Sequence, residues 1–184
     1  MLSFVVFTTV ALVVLLILLF MLLFVLLAQA ISTHFDVPLV PTPYSILPAL
    51  AEAFLIRDSD VVYDLGCGDG RVLFYCARHF PTATFIGIEQ NPLLVWFIRV
   101  KSKLLRMQNI SCRQENIFSA DLSDATRIYT FLLPGIMNKI FFPGIALPHT
   151  RLISRGFPIL NRTPLQTILF PDKLLNRPLY VYEF

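Results

Sequence analysis

Apolar residues fill the beginning of the chain without interruption, and later they recur only in short runs between polar turns. From Leu2 to Ile31 there is no charged residue, no proline and no glycine. About 20 apolar residues in a helix cross the hydrocarbon core of a bilayer, and a longer run can cross it with some tilt. The pattern therefore predicts a transmembrane anchor, which we assign to residues 1–33.

Two other interpretations of this first segment are a cleaved signal peptide and a buried core helix. Ala28-Gln29-Ala30 has the form of a signal-peptidase site. The apolar run, however, is much longer than the roughly 7–15 residues of a signal-peptide core, and no lysine or arginine precedes it. We therefore expect the segment to be retained as an anchor.

Prolines interrupt the helical pattern directly after the anchor. Four of them lie between residues 34 and 48, so no continuous helix is expected before about Tyr44. A helix is predicted over 45–56, and residues 34–58 form a Pro-rich linker and first helix. The linker is either a spacer between lipid and domain or an element that lies across a ligand pocket and offers Thr42 or Tyr44 to the ligand.

Over residues 59–184, apolar runs with strand character alternate with helix-compatible segments, which is typical of βαβ units. The last two strands read as a closing hairpin with residues 171–178 as its loop. The pattern indicates an α/β fold. The predicted strands are 61–64, 84–89, 110–114, 126–133, 151–155, 165–170 and 179–184, and the helices between them are 72–78, 91–107 and 136–142.

Glycines at alternate positions follow the first strand. Gly66, Gly68 and Gly70 come just after Asp64, and a helix-compatible run follows them. Glycine takes positive φ and lets a ligand approach the backbone closely, and the helix that follows offers free N–H groups at its start. This segment is therefore suited to bind a nucleotide-like ligand.

The glycine spacing and the charges beside it distinguish between such ligands. Enzymes that bind dinucleotides use G-x-G-x-x-G to place a pyrophosphate on the helix, whereas this chain has G-x-G-x-G with Asp64 before it and Asp69 inside it. Carboxylates repel a pyrophosphate but suit the amino group and sulfonium of S-adenosylmethionine. We predict Asp64, Gly66, Gly68 and Gly70 as cofactor-binding residues; the glycine pattern alone also fits an ordinary turn.

Three further residues complete the predicted cofactor site. Glu89 ends the second strand, where a carboxylate can accept both ribose hydroxyls; the alternative is an exposed strand-terminal glutamate. Asn116 follows the third strand and is predicted to bond the adenine amino group, with Glu115 as its rival; the alternative is an asparagine in a turn. Thr42 of the linker is the last predicted contact.

The helix predicted over 91–107 begins with Asn91 as N-cap and Pro92 in the first turn. We expect its apolar residues to pack mainly in the core and its basic residues to form a solvated side. The apolar set is Leu94, Trp96, Phe97 and Val100, and the basic set is Lys101, Lys103 and Arg106.

Composition argues against several classes of site. The net charge of +3 is small and scattered, which does not suggest nucleic acid as a partner. The cysteines form no C-x-x-C and no histidine lies at ligand spacing, so we expect no metal site and no disulfide framework. Cys67, Cys76 and Cys112 are expected to be buried free thiols in a reducing compartment.

No residue of the sequence is an obvious general base. The end of the fourth strand, Phe131-Leu132-Leu133-Pro134, has no acid, asparagine or tyrosine, so the catalytic residues stay unassigned. A low-dielectric pocket lowers the pKa of an amine by desolvation. A lysine acceptor could therefore lose its proton without a dedicated base.

Four features together resemble the class I, seven-strand methyltransferases: the apolar N-terminal span, the Pro-Thr-Pro linker at 41–43, the D-L-G-x-G-D-G-R loop at 64–71 and the strand-end Glu89. Within that class the chain looks most like the small membrane-anchored lysine methyltransferases that modify the ATP synthase c subunit and the adenine nucleotide translocase, with their bacterial relatives. The resemblance covers residues 37–184. In that group an acid often follows the third strand, where this chain has Glu115 and Asn116.

The resemblance implies a doubly wound, mostly parallel seven-stranded sheet of the Rossmann-like methyltransferase type. The implied strand order is 3-2-1-4-5-7-6 with strand seven antiparallel, in a domain over residues 59–184 that follows one transmembrane helix. It also implies a substrate lysine in a membrane-associated protein.

We predict an S-adenosylmethionine-dependent methyltransferase that is membrane-embedded through a single N-terminal helix. Because this cofactor is an intracellular metabolite, we place the domain on the cytoplasmic side, or on the matrix side in an organelle. The alternatives are a methyltransferase for a small or lipid-like acceptor and a membrane-tethered module that binds the cofactor without catalysis.

Overall fold

A computed structural model describes residues 2–32, 40–141, 147–170 and 177–184. The chain divides into two compact units, Met1–Pro38 and Leu39–Phe184. The first contains helix α1, Leu2–Ser32, in which the window Val6–Leu23 has a mean hydropathy of 3.1 and no buried residue. By length and composition this helix could cross a bilayer, and a signal sequence would share those properties. Linker residues 33–39 lie outside the described part of the chain.

The second unit alternates strands and helices, as the apolar pattern predicted. The linker ends in a 3₁₀ turn, Tyr44–Ile46, and the unit then consists of α2 (Leu47–Phe54), β1 (Val61–Leu65), α3 (Arg71–His79), β2 (Thr84–Glu89), α4 (Pro92–Leu104), β3 (Ile110–Gln114), β4 (Arg127–Thr130), α5 (Pro134–Phe141), β5 (Arg151–Arg155), β6 (Gln166–Ile168) and β7 (Leu179–Glu183).

The strands form one seven-stranded sheet in the order β3-β2-β1-β4-β5-β7-β6. Strands β1 to β5 pair in parallel, and β7 runs antiparallel to both β5 and β6. This confirms the expected fold class and strand order. The carboxyl ends of β1, β2 and β4 therefore meet at one edge of the sheet, where ligands bind in open α/β folds.

Helix α2 packs into the core of the second unit. Its Leu47, Leu50 and Phe54 are fully buried. Its last carbonyl groups, which an α-helix leaves unpaired, accept hydrogen bonds from two arginines of the sheet: Arg127 Nε donates to the carbonyl of Phe54 at 2.9 Å, and Arg151 Nε donates to that of Ala53 at 2.7 Å. The helix that was predicted next to the linker is thus fixed on β4 and β5.

Strand β4 and helix α2 are shorter than predicted, for local reasons. Strand β4 ends at Thr130 rather than at 133, because Leu133 turns into α5 and its carbonyl accepts a hydrogen bond from the Ile136 N–H at 3.0 Å. The helix predicted over 45–56 begins as a 3₁₀ turn and becomes α-helical at Leu47, with Pro48 in its first turn. Proline fits there, since that N–H has no partner within the helix.

The expectation that Trp96 and Phe97 pack in the core is wrong. Their side chains are 64% and 42% exposed, and the buried side of α4 is formed by Val95, Ile98 and Ser102. These three positions are spaced three and four residues apart, so they lie on one face of the helix and place positions 96 and 97 on the other. Asn91 does cap the helix as predicted, accepting from the Leu93 N–H at 3.0 Å.

Candidate cofactor site

The glycine loop between β1 and α3 has a backbone geometry that residues with a side chain rarely adopt. Gly66, Gly68 and Gly70 have φ values of +73°, +56° and +73°. The N–H of Gly66 donates to the carbonyl of Ile88 on β2 at 2.9 Å, which holds the loop over the neighbouring strand. A Cβ on Gly66 would lie 3.0 Å from Leu132 Cδ2. Position 66 therefore needs a residue that is small and that also adopts the left-handed backbone conformation.

Glu89 joins the loop to the end of β2. Its Oε2 accepts a hydrogen bond from the N–H of Gly68 at 3.0 Å, and its Oε1 accepts from the N–H of Asn91 at 2.9 Å. A carboxylate has about four acceptor positions, so each oxygen keeps capacity for a ligand hydroxyl. The glycine turn and the strand-end carboxylate, which the sequence predicted to act together, are therefore in direct contact.

Asp64 is a buried carboxylate at the carboxyl end of β1. It is 3% exposed, and burial, followed by the nearby charges of Glu89 and Asp69, raises the pKa of its carboxyl well above the usual range. The ion pairs of the described residues are Arg71–Asp69, Arg127–Asp60 and Arg151–Glu183, so none of them neutralises Asp64. An ionised Asp64 would suit a cationic group of a ligand.

Asp69, in contrast, forms an ion pair with Arg71, two residues further along the chain. Arg71 Nε donates to Asp69 Oδ1 at 3.0 Å, and its Nη2 donates to Oδ2. Burial would raise the pKa of Asp69, but the hydrogen bonds and charge of Arg71 outweigh it, and the net pKa is lowered. Of the two loop carboxylates noted in the sequence, only Asp64 is without a protein cation among the described residues.

Arg71 of the glycine loop contacts the described end of the linker. Arg71 Nη1 donates to the carbonyl of Thr42 at 3.0 Å, and its guanidinium lies 4.8 Å from the ring centroid of Tyr44. The Thr42 hydroxyl is buried and lies 2.8 Å from the hydroxyl of Tyr129 on β4. Within the second unit, Thr42 and Tyr44 thus lie beside the loop.

Asn116 adopts a turn geometry. Its Oδ1 accepts from the N–H of Phe118 at 2.9 Å, its carbonyl accepts from the N–H of Ser119 at 3.0 Å, and its side chain is exposed. This is the geometry of an Asx turn, in which the side-chain oxygen replaces a backbone acceptor. The side-chain carbonyl oxygen of Asn116 has a second lone pair that an adenine amino group could use, so the adenine contact stays a prediction, as does the alternative contact at Glu115.

The carboxyl end of β4 combines an aromatic ring with cations. The guanidinium groups of Arg155 and Arg177 lie 5.1 and 5.3 Å from the ring centroid of Phe131. Arg155 is fully buried on β5, and Thr130, the last residue of β4, is fully buried as well. This end of β4 therefore has positive charge close to a half-buried aromatic ring.

Sequence reasoning missed three residues that shape this site. Arg71 entered the sequence analysis only as part of the loop motif, and Tyr129 only as a position in the fourth predicted strand, 126–133. Gly87 lies in the middle of β2, where a Cβ would lie 2.6 Å from Cys67 Sγ and 2.7 Å from Leu73 Cδ1. A glycine inside a buried strand was the available signal, since it often marks a close approach of another segment.

Comparison with known proteins connects this geometry to a family. Residues 64–166 match the profile described as the ANTKMT methyltransferase domain. A protein-lysine N-methyltransferase of Saccharolobus islandicus is 32% identical over 155 residues, which is 79% of this chain and 92% of that protein. The lysine N-methyltransferase of Caenorhabditis elegans that is named for the ATP synthase c subunit is 27% identical over 132 residues, covering 67% of this chain and 68% of its own length.

A solved structure resembles the chain to a similar degree. It is an RNA methyltransferase from Salinibacter ruber in complex with S-adenosyl-L-homocysteine, with a TM-score of 0.70 and 32% sequence identity. The alignment covers 78% of this chain and 93% of that one. S-adenosylhomocysteine is the product that S-adenosylmethionine leaves after methyl transfer, so the structural neighbour and the family indicate the same cofactor.

Proposed function

The chain belongs to the ANTKMT methyltransferase family and uses S-adenosylmethionine as its methyl donor, and we propose that it methylates the side-chain amine of a lysine in a membrane-associated protein. The observation that carries the choice of lysine is the 32% identity to the Saccharolobus islandicus protein-lysine N-methyltransferase, which extends over 92% of that protein. The membrane-associated acceptor is supported by the similarity to the enzyme named for the ATP synthase c subunit and by the apolar helix α1.

The residues at the sheet edge fit this cofactor. The left-handed glycines leave the loop backbone open to a ligand, and Asp64 offers a buried carboxylate that no protein cation of the described residues neutralises. In our proposal Asp64 binds the cofactor's amino group and Glu89 accepts from the ribose hydroxyls. Gly66, Gly68 and Gly70 pack against the bound cofactor, Asn116 bonds the adenine amino group, and Thr42 forms part of the wall.

When bound, the cofactor would supply an electrophilic methyl group on its sulfonium, and its sulfur would leave as the thioether of S-adenosylhomocysteine when an uncharged amine attacks that methyl carbon in line. The protein's task is to orient the amine and to keep it deprotonated. At the end of β4, burial beside Phe131 disfavours a charged ammonium, and the positive charge of Arg155 disfavours it further. We propose that this edge lowers the pKa of the acceptor lysine, so that no dedicated base is needed.

We further propose that α1 anchors the protein as a single transmembrane span, with the domain on the cytoplasmic or matrix side. The support is the apolar length of Val6–Leu23 and the intracellular location of the cofactor. The domain itself is small, so the bilayer would do part of the work of substrate selection by holding enzyme and acceptor side by side. If the domain without its anchor methylated the natural acceptor equally well in detergent and in bilayers, this part of the proposal would be wrong.

The decisive experiment offers radiolabelled S-adenosylmethionine to membranes that lack this gene product, together with the purified full chain. Protein, extractable lipid and RNA fractions are then counted separately, and labelled proteins are digested for mass spectrometry. We expect label in protein, on lysine, and much less of it with the Glu89→Ala chain. Label in lipid would point to a lipid-like acceptor, label in RNA to an activity like that named for the Salinibacter ruber neighbour, and cofactor binding without any product to a non-catalytic module.

A further inference from the structure

Helix α4 carries an apolar stripe on the side that faces away from the sheet. Leu93, Trp96, Phe97 and Leu104 are 41%, 64%, 42% and 78% exposed. Their spacings of three, four and seven residues place them along one face of the helix, opposite the buried side described above. We call these four residues the α4 stripe. Large apolar side chains that form a contiguous exposed patch mark an interaction surface more often than isolated ones do.

The charged residues of α4 itself are all basic. Between Glu89 and Glu115 the sequence has no acidic residue and five basic ones. Lys103 and Arg106 are exposed, and the Lys101 ammonium lies 5.4 Å from the ring centroid of Phe97. The stripe is therefore bordered by cations. This combination suits a partner that offers an apolar interior and negative charge at its surface.

Within the second unit, the α4 stripe begins at the carboxyl edge of the sheet. Helix α4 begins at Pro92, three residues after Glu89, at the carboxyl edge of the sheet. The first described linker residues lie at that same edge, because Thr42 bonds to Arg71 and Tyr129 there. The aromatic end of the stripe and the point where the chain enters the domain therefore share one edge.

The length of the linker limits how far the domain can lie from a bilayer. Residues 33–39 separate the end of α1 from Val40, and an extended chain across that gap reaches roughly 28 Å at most. If α1 spans a membrane, this length is the upper limit of the distance between the end of the span and Val40.

We propose that the α4 stripe docks on a bilayer surface that contains anionic lipids, with Trp96 and Phe97 at headgroup depth and Lys101, Lys103 and Arg106 against lipid phosphates. Helices that lie on membranes combine tryptophan, phenylalanine and leucine on one side with flanking lysine and arginine in this way. Basic residues close to an anionic leaflet each contribute measurably to such binding. This docking is independent of methyl transfer, so it can be tested whatever the acceptor is.

Trp96 is the only tryptophan in the chain, so its fluorescence reports on the α4 stripe directly. The full chain is reconstituted in phosphatidylcholine vesicles and in vesicles that also contain phosphatidylglycerol. In the anionic vesicles we expect Trp96 emission to move to shorter wavelength, acrylamide quenching to fall, and quenching by brominated lipids to appear. In phosphatidylcholine alone we expect Trp96 to behave as a water-exposed residue.

Matched variants separate this docking from general charge effects. Lys103→Glu combined with Arg106→Glu should abolish the difference between the two vesicle types, and Leu104→Asp should reduce the brominated-lipid quenching. Arg57→Glu combined with Arg78→Glu changes the charge equally at exposed residues outside α4 and should leave the difference intact.

Three results would overturn the proposal. Trp96 could remain open to acrylamide in both vesicle types, or its shielding could require an added acceptor protein. Shielding that depends on protein density rather than on lipid charge would instead indicate contact between two copies of the chain.

Discussion

The hydroxyl groups of Thr42 and Tyr129 lie 2.8 Å apart in the buried interior, although 87 positions separate the two residues along the chain. Tyr129 is paired with Asp64 in the sheet register, so this bond fixes the linker next to the acidic end of β1. The same linker residue accepts from Arg71. The segment before the domain is thus held both by the sheet and by the glycine loop.

We predict that this bond couples Thr42 and Tyr129 energetically. In a double-mutant cycle with Thr42→Val and Tyr129→Phe, thermal or denaturant unfolding of the full chain in detergent should give a coupling of about 1 kcal/mol. The exposed bond between Thr82 and Asp58 provides the control pair, for which the coupling should be close to zero. Equal coupling in both pairs would mean that the linker is not fixed in this way.

Gly68→Val should abolish cofactor binding. At a φ of +56° a β-branched residue is strained by roughly 1–3 kcal/mol, and relief of that strain would move the N–H that donates to Glu89. Calorimetry with S-adenosylhomocysteine measures the loss, and circular dichroism checks the fold. Gly135→Ala is the matched control, because a Cβ there meets no atom within 4 Å, and it should bind normally.

Glu89→Ala should weaken cofactor binding by about 1.5–3 kcal/mol, or roughly 10- to 150-fold, through the loss of hydrogen bonds to a charged group. It should also lower the free energy of unfolding, because the N–H groups of Gly68 and Asn91 lose their acceptor. Glu89→Gln keeps one acceptor oxygen and should recover part of the stability but less of the affinity. Normal affinity in the alanine variant would remove Glu89 from the site.

Asp64 should link cofactor binding to pH. Its raised pKa means that, at a pH between the unfolded and the folded pKa, the folded, cofactor-free protein holds a proton that the unfolded chain has released. That stabilising effect is present below the unfolded pKa of about 3.9 and is lost as pH rises through the folded pKa, so the free energy of unfolding falls over that interval. Asp64→Asn cannot ionise and should remove this decline, which makes the cofactor-free protein more stable at neutral pH.

The same substitution should weaken binding, because the cofactor's ammonium group favours an ionised Asp64. Binding to the unmodified chain should release a proton and strengthen as pH rises, which calorimetry in two buffers of different ionisation enthalpy measures. The Asp64→Asn chain should show neither effect, whereas Asp121→Asn, at an exposed turn, should behave like the parent. Proton release that persists in Asp64→Asn would contradict the assignment.

The contact between Gly68 and Glu89 could be anticipated, because both follow neighbouring parallel strands whose carboxyl ends share an edge. The pairing of Asp69 with Arg71 could not: a charge pattern gives no preference between a ligand cation and an arginine two residues away. Whether Trp96 is buried or exposed depends on which face of α4 packs against the sheet. Apolar content alone does not decide this, because both faces of the helix carry large apolar residues. The sequence did not decide between a ligand contact and a turn for Asn116. Its side-chain oxygen can accept from an adenine amino group or from a backbone N–H of the turn.

Gly87 has a consequence for how this protein tolerates change. Its missing side chain leaves the space that Cys67 and Leu73 fill, and so it sets the height at which the glycine loop rests above β2. In a saturation-mutagenesis screen, position 87 should therefore reject even alanine as strictly as any residue that touches the cofactor. The positions that tolerate no substitution would then include a residue that supports the glycine loop from below, in addition to residues that contact the ligand.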